Sequence, residues 1–257
     1  MTVAVIALAS ASGSPGVTCT ALGIALLWPR PVLLVEADPT GGSGLLAGYF
    51  RGTREYDGGL IELALTADNL HDAIAQVALP IDNTNVSFVA GTRSHTQATA
   101  LRELWQPLST TLRELETTGQ DVIVDAGRLG LIGSPEPLLA EADLTLLVTR
   151  TTLPALSALR SWAGSLQRGA FELQQTAVLL IGEGQPYRSR EVTSVLNLPV
   201  VATVADDPES AAVLHRGATP PKRFDTGPLT RSLSATVAAI HSAISRRRAE
   251  LLEGARS

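Results

Sequence analysis

The sequence predicts an α/β fold built on a single doubly wound, mainly parallel sheet of about seven strands flanked by helices. Three observations lead there. Short runs of β-branched and aliphatic residues recur along the chain, and they are continuously apolar instead of alternating, as strands covered on both faces should be. Segments of helical length separate these runs, and strand alternating with helix is the pattern of parallel crossover units. No stretch is rich enough in proline, glycine or charge to divide the chain, so residues 1–257 are expected to form a single domain.

In chain order, strands are expected at Val3–Ala9, Val32–Val35, Val86–Ala90, Val122–Val124, Leu144–Thr149, Ala177–Ile181 and Val200–Val204. Helices are expected at Thr18–Leu27, Leu60–Leu65, Leu70–Val77, Ala98–Thr117, Pro154–Arg168 and Arg188–Leu196. A long surface loop, Gly217–Pro228, precedes a last helix over 229–252. That helix carries Leu229, Leu233, Val237, Ile240 and Ile244 at steps of 4, 4, 3 and 4 residues, one apolar stripe. Arg246, Arg247 and Arg248 follow it. Packing of the stripe on the sheet is the favoured reading; contact of the basic end with DNA or an anionic membrane is the alternative.

Composition removes several function classes. Hydrophobic residues make up 45% of the 257, enough to build a core and too many for a disordered chain. One cysteine, Cys19, excludes an internal disulfide framework and a cysteine-clustered zinc site. The 4 histidines show no metal-ligand spacing. A net charge of −5 argues against nucleic-acid binding by bulk charge, although 7 basic and 3 acidic residues from residue 219 onward leave a local basic end. No apolar run reaches the ~20 residues of a membrane-spanning helix. The opening MTVAVIALAS lacks the basic start of a secretion signal and reads as a buried first strand, so a cytoplasmic location is expected.

Ligands of doubly wound sheets bind at the carboxyl ends of the strands, and the first strand–loop–helix unit is the usual phosphate site. Here the loop is Gly13-Ser14-Pro15-Gly16-Val17-Thr18-Cys19-Thr20. It has the spacing of a P-loop, G-x-x-x-x-G-K-[ST], with Thr18 in place of the second glycine and Cys19 in place of the lysine. The backbone cradle and the Thr20 hydroxyl for Mg²⁺ survive; the phosphate cation does not. A surface turn joining strand to helix is the plainer reading of the same eight residues. Further along, Glu36-Ala37-Asp38 closes the second apolar run, and Asp125-Ala126-Gly127 closes the fourth.

In these motifs and in the order of its elements the chain resembles the ParA/MinD family of deviant P-loop ATPases (SIMIBI class). Ser14-Pro15-Gly16-Val17-Thr18-Cys19-Thr20 lies over the family's K-G-G-V-G-K-T, matching at Gly16, Val17 and Thr20. Both family lysines are absent: Ser14 stands for the lysine that reaches across the dimer, and Cys19 for the P-loop lysine. The resemblance implies that Asp38 is the switch I aspartate and Asp125 the Walker B aspartate, catalytic if the protein is active. It also implies that Thr20, Asp38 and Asp125 are the Mg²⁺ ligands and that Gly13–Thr20 bind ATP or ADP weakly or not at all. Leu198–Val204 with Asp206-Asp207-Pro208 resembles the family's LPVLGVIPxD segment, and Gly182 stands where family members often carry an adenine-reading asparagine. A homodimer is implied as well.

Each of these residues has a plainer role. Asp38 and Asp125 could simply cap the loops that follow them. Arg128, after the Asp125-Ala126-Gly127 turn, is the first candidate for a replacement phosphate or dimer cation, or else a solvated arginine. Glu36 is expected to pair with Arg30 or Arg128. Cys19 is expected to be inert. The favoured function is a catalytically impaired ParA/MinD-like scaffold for positioning or partitioning. The alternative is an active Mg²⁺-ATP-dependent ATPase that drives localisation of DNA or a cellular machine.

Overall fold

The computed structural model describes residues 4–66, 69–115, 119–167 and 175–254. One eight-stranded sheet runs through them in the order β3-β4-β2-β5-β1-β6-β7-β8. Its strands are β1 (Val5–Ser10), β2 (Val32–Glu36), β3 (Leu79–Pro80), β4 (Val86–Val89), β5 (Asp121–Arg128), β6 (Leu144–Arg150), β7 (Thr176–Ile181) and β8 (Val200–Val204). All neighbours are parallel except β3, a two-residue antiparallel edge on β4. This eighth strand was beyond the apolar-run criterion, because Leu79-Pro80 is too short to form a run and contains a proline confined to edges. Val3, Thr117 and Arg168, expected ends of three elements, lie outside the described residues.

The continuous apolar runs have the cause inferred for them. Along β1, Ile6 and Leu8 enter one core while Val5, Ala7 and Ala9 enter another, so every position is buried. The first core is closed by α1 (Val17–Leu26) and the long α10 (Pro228–Gly254). Leu229, Leu233, Val237, Ile240 and Ile244 of α10 are all buried, so its apolar stripe packs on the sheet, and Arg248 reaches Asp143 at 3.3 Å. The second core lies under α2 (Leu60–Leu65), α3 (Leu70–Val77), α5 (Trp105–Glu114) and α6 (Glu136–Ala140). A third, under α7 (Leu153–Gln167) and α8 (Ser189–Leu196), covers β6 and β7.

Two helical expectations are corrected. The helix expected over Ala98–Thr117 is broken into α4 (His95–Ala98), a 3₁₀ turn (Thr99–Leu101) and α5. Pro107 explains the break: its ring would clash with the Glu103 carbonyl in a continuous helix, so the helix restarts at Trp105 with the proline in its first turn. The second correction is α9 (Pro208–Arg216), which was not foreseen. Its signal was present, since the Asp207 carboxylate accepts from Ser210 N at 3.1 Å and Pro208 opens the first turn. A π-helix at Leu45–Tyr49 also lies in a glycine-rich stretch that carries no helical pattern.

At the amino end of the sheet, Asp121 is fully buried and accepts from Ala4 N at 2.7 Å and Trp28 Nε1 at 2.6 Å. Arg30 pairs with it at 2.6 Å. Arg30 therefore serves Asp121 and not Glu36, at the opposite end of the strands from the one expected. Removing a buried carboxylate that neutralises a cation and receives two N–H groups strands all three partners. Asp121→Ala is expected to lower unfolding stability by about 3–5 kcal/mol, read from urea midpoints at constant slope.

Candidate functional site

The carboxyl edge of the sheet is where the loops gather. Between β1 and α1 the backbone turns through Ser14 at φ +53° and Gly16 at φ +104°. Gly16 is the N-cap of α1 in the left-handed region, which a residue with a Cβ enters only with strain. No side chain caps α1 and no acidic residue occupies its first turn, so its leading N–H groups are suited to an anion. A Cβ added at Gly13 or Gly16 would meet nothing within 4 Å, so the space over the loop is open. That is a phosphate cradle in shape.

Its side chains are less complete. Cys19 is partly buried against α9, its thiol 3.8 Å from the Ala211 carbonyl. Burial raises that thiol to about 11 and outweighs any lowering by the helix N-terminus. Thr20 is buried and its N–H donates to Gly16 O at 2.9 Å. The Thr18 hydroxyl donates to Asp125, and its methyl lies against Gly44.

Gly13–Thr20, Asp38 and Arg128 all line one cleft of about 870 Å³. Asp125 is 1% exposed and lies within β5, which runs on to Arg128 past the end expected at Val124. Both aspartates cap their loops: Asp38 Oδ1 accepts from Thr40 N and Thr40 Oγ1 at 2.8 Å each, and Asp125 Oδ1 accepts from Gly127 N at 3.1 Å. Burial, with Asp38 and Glu36 close by, raises Asp125 to about 7. Among the described residues no cluster of three or more His, Cys, Asp or Glu could hold a metal. Thr20, Asp38 and Asp125 are hard oxygen donors of the kind that hold Mg²⁺ together with phosphate oxygens, so they suit the ion when it arrives with a nucleotide.

Among the described residues Glu36 pairs with neither Arg30 nor Arg128. Its carboxylate accepts from Ser43 Oγ, from Leu45 N at 2.9 Å and from Gly91 N at 3.4 Å, tying the start of the π-helix to the end of β4. Burial raises its pKa, against the lowering effect of these bonds. Arg128 is exposed on the cleft rim, where a replacement cation could reach a phosphate.

The cleft also contains groups that the motifs did not single out. Arg150 at the end of β6 pairs with Asp206 after β8 at 2.6 Å, and Arg216 closes α9. The Ala205 N–H donates to Ser232 Oγ at 3.0 Å, so α10 holds the loop that bears Asp206. The available signal was positional: Arg150 and Arg216 end β6 and α9, and Asp206 follows β8.

No protein-family model and no curated protein matches the chain by sequence. Solved structures do match by shape. A ParA family ATPase from Chlorobium tepidum TLS superposes with TM-score 0.75 at 14% identity, covering 92% of this chain and 98% of the other. The septum site-determining protein MinD of Pyrococcus horikoshii, solved with Mg-ADP, gives TM-score 0.70 at 16% identity over 91% and 94%. A Cyanothece McdA–ATP complex gives 0.68 at 18% over 93% and 96%.

The fold is that of the ParA/MinD ATPases.

Within a ParA/MinD fold the departures of this chain gain meaning. The loop follows β1 and starts α1 at a left-handed Gly16, and the two positions that the motif resemblance aligns with lysines carry neutral side chains, Ser14 and Cys19. Gly182, in the asparagine position, has φ +70°, and a Cβ there would crowd Asp206. The raised Asp125 makes a signed prediction. Its folded pKa of about 7 exceeds the unfolded 3.8, so its contribution to stability is complete below about 3.8 and is lost as pH rises toward 7. Across that window the loss is at most about 1.4 kcal/mol per pH unit. Asp125→Asn, which keeps an acceptor for Thr18 and Gly127, should melt above wild type at pH 8 by a margin that shrinks toward pH 4. For Cys19, iodoacetamide labelling at pH 8 should be at least about tenfold slower in the folded chain than in urea, as a thiol held near 11 requires.

Proposed function

We propose that this chain is a ParA/MinD-like positioning or partition scaffold, working as a homodimer, whose nucleotide site is impaired for catalysis. The observation that carries this reading is the position of Cys19. Where a P-loop supplies an ammonium to the β/γ-phosphates, this chain offers a short, partly buried neutral thiol beside α9. Phosphoryl transfer depends almost wholly on positioned cations and Mg²⁺, so hydrolysis suffers more than binding does. Losing one charge-assisted bond costs roughly 1.5–3 kcal/mol, or on the order of 10–100-fold in affinity. Weak binding of ATP or ADP with Mg²⁺ is supported by the open cradle and by the oxygen donors Thr20, Asp38 and Asp125. The nucleotide-bound forms of the MinD and McdA neighbours give the same support.

A role through protein contact is supported at the same edge. Ile132, after β5, is 74% exposed and Leu153, after β6, is 66% exposed, so large aliphatic side chains are exposed on segments that follow two of the strand ends. The stripe of α10 is consumed by the core, which weakens a membrane or DNA role for that helix. No described helix is long and apolar enough to cross a membrane.

One observation favours the alternative of an active ATPase. Arg128, Arg150 and Arg216 all line the cleft and could supply the missing positive charge. Phosphate release separates the two. With Mg²⁺-ATP the wild-type chain should show no turnover above background, and steady turnover abolished by Arg128→Ala would overturn the scaffold reading. Thr18→Gly with Cys19→Lys should raise Mg²⁺-ATP affinity at least about tenfold by calorimetry, and turnover should need Ser14→Lys in addition.

A further inference from the structure

We propose that Arg150 and Asp206 form a base-reading pair that selects a guanine nucleotide over an adenine nucleotide, an inference that rests on the cleft being a nucleotide site. The cleft is one continuous space with two ends of different character. The loop Gly13–Thr20 forms the end suited to phosphates. The other is walled by Ile181, Val204, Pro208 and Leu229, aliphatic and ring carbons suited to the faces of a flat base. A nucleotide seated with its phosphates on the loop directs its base there, because binding sites bury aromatic ligands against apolar walls and orient them with a few placed polar groups.

Arg150 and Asp206 stand at that end as an ion pair, Nη1 to Oδ2 at 2.6 Å; Asp207 beside them accepts from Ser210 N as the cap of α9, and Arg216 also lines the cleft. The positions of the pair are set by the fold. Arg150 closes β6, whose register against β7 runs to Arg150 opposite Ile181. Asp206 follows the Ala205 N–H that α10 anchors through Ser232. Gly182 brings no side chain to the base, and its backbone is fixed by the Thr151 hydroxyl, which donates to Gly182 O at 3.1 Å and Gln185 O at 2.7 Å. The space a side chain at 182 would take is bordered by Asp206.

The chemistry of the pair decides the base. An ionised carboxylate only accepts and a guanidinium only donates. Guanine presents along one edge an acceptor, O6, followed by two donors, N1–H and the N2 amino group. Arg150 can donate to O6 while Asp206 receives both donors, making three charge-assisted bonds. Adenine presents one donor and one acceptor on that edge and makes at most two. A third bond of this class is worth at least about tenfold in affinity.

Calorimetric titration of the full chain with Mg²⁺ and GDP, IDP or ADP tests this. Inosine keeps O6 and N1–H and lacks the amino group. The expected order is GDP tightest, at least about tenfold over ADP, with IDP between them. Asp206→Asn, which replaces one acceptor with a donor, should erase the GDP-over-ADP ratio while its melting temperature stays near wild type. ADP binding as tightly as GDP overturns the proposal, as does a ratio that survives Asp206→Asn. Failure of all three nucleotides to bind also overturns it. That last result leaves the scaffold reading standing, which phosphate release from the triphosphates tests separately.

Discussion

The sheet hangs on β1, which lies between β5 and β6 with every side chain buried and both edges hydrogen-bonded. A strand in that position exposes nothing along its length, so only its two ends can meet polar groups or solvent. The chain treats those ends in opposite ways, and both treatments use aspartates of the same strand, β5. At the amino end, Asp121 is fully buried but neutralises Arg30 and receives the N–H groups of Ala4 and Trp28. At the carboxyl end, Asp125 is as deeply buried, yet the charges that bear on it are two more carboxylates, Asp38 and Glu36. The first arrangement stabilises the crossing of β1, β2 and β5. The second leaves an electrostatic tension that a bound cation would relieve, under a loop shaped for an anion.

That loop separates what backbone and side chain each contribute to a phosphate site. The left-handed Gly16 and the uncapped start of α1 depend on main-chain geometry, and they persist without the lysines. Charge is what the chain lacks there. Thr18 redirects a hydroxyl to Asp125, and Cys19 fills a niche against α9, so the two replaced positions are integrated into the surrounding packing. The substitutions that would restore a P-loop, at positions 14, 18 and 19, therefore all lie within this one segment.

The rest of the cleft is assembled by elements remote in sequence. Glu36 joins β2, the π-helix and the end of β4 through three hydrogen bonds, so the segment following Asp38 is held from both sides. Arg150 and Asp206 are 56 residues apart and meet only because β6, β7 and β8 lie side by side. The cleft combines arginines with aspartates, so donors and acceptors line the same space.

Strand positions, the parallel architecture, the Gly13–Thr20 loop and the Asp38–Asp125 constellation were legible in the sequence, because each is encoded locally. Burial on both faces writes a continuous apolar run, and a glycine at φ > 0 or a carboxylate at a strand end sits at a fixed offset from that run. The apolar stripe of α10 was equally legible, since a 3.6-residue period survives whatever it packs against. Tertiary structure alone decided the partners. Arg30 went to Asp121 and not Glu36 because the turn from α1 into β2, which carries Arg30, lies at the amino end of the sheet. The thiol of Cys19 is raised by burial against α9, a helix that the apolar pattern did not indicate. Arg150 found Asp206 across two strands. Local sequence specifies which element forms and which face it buries; the pairing of charges depends on distances that exist only once the sheet has closed.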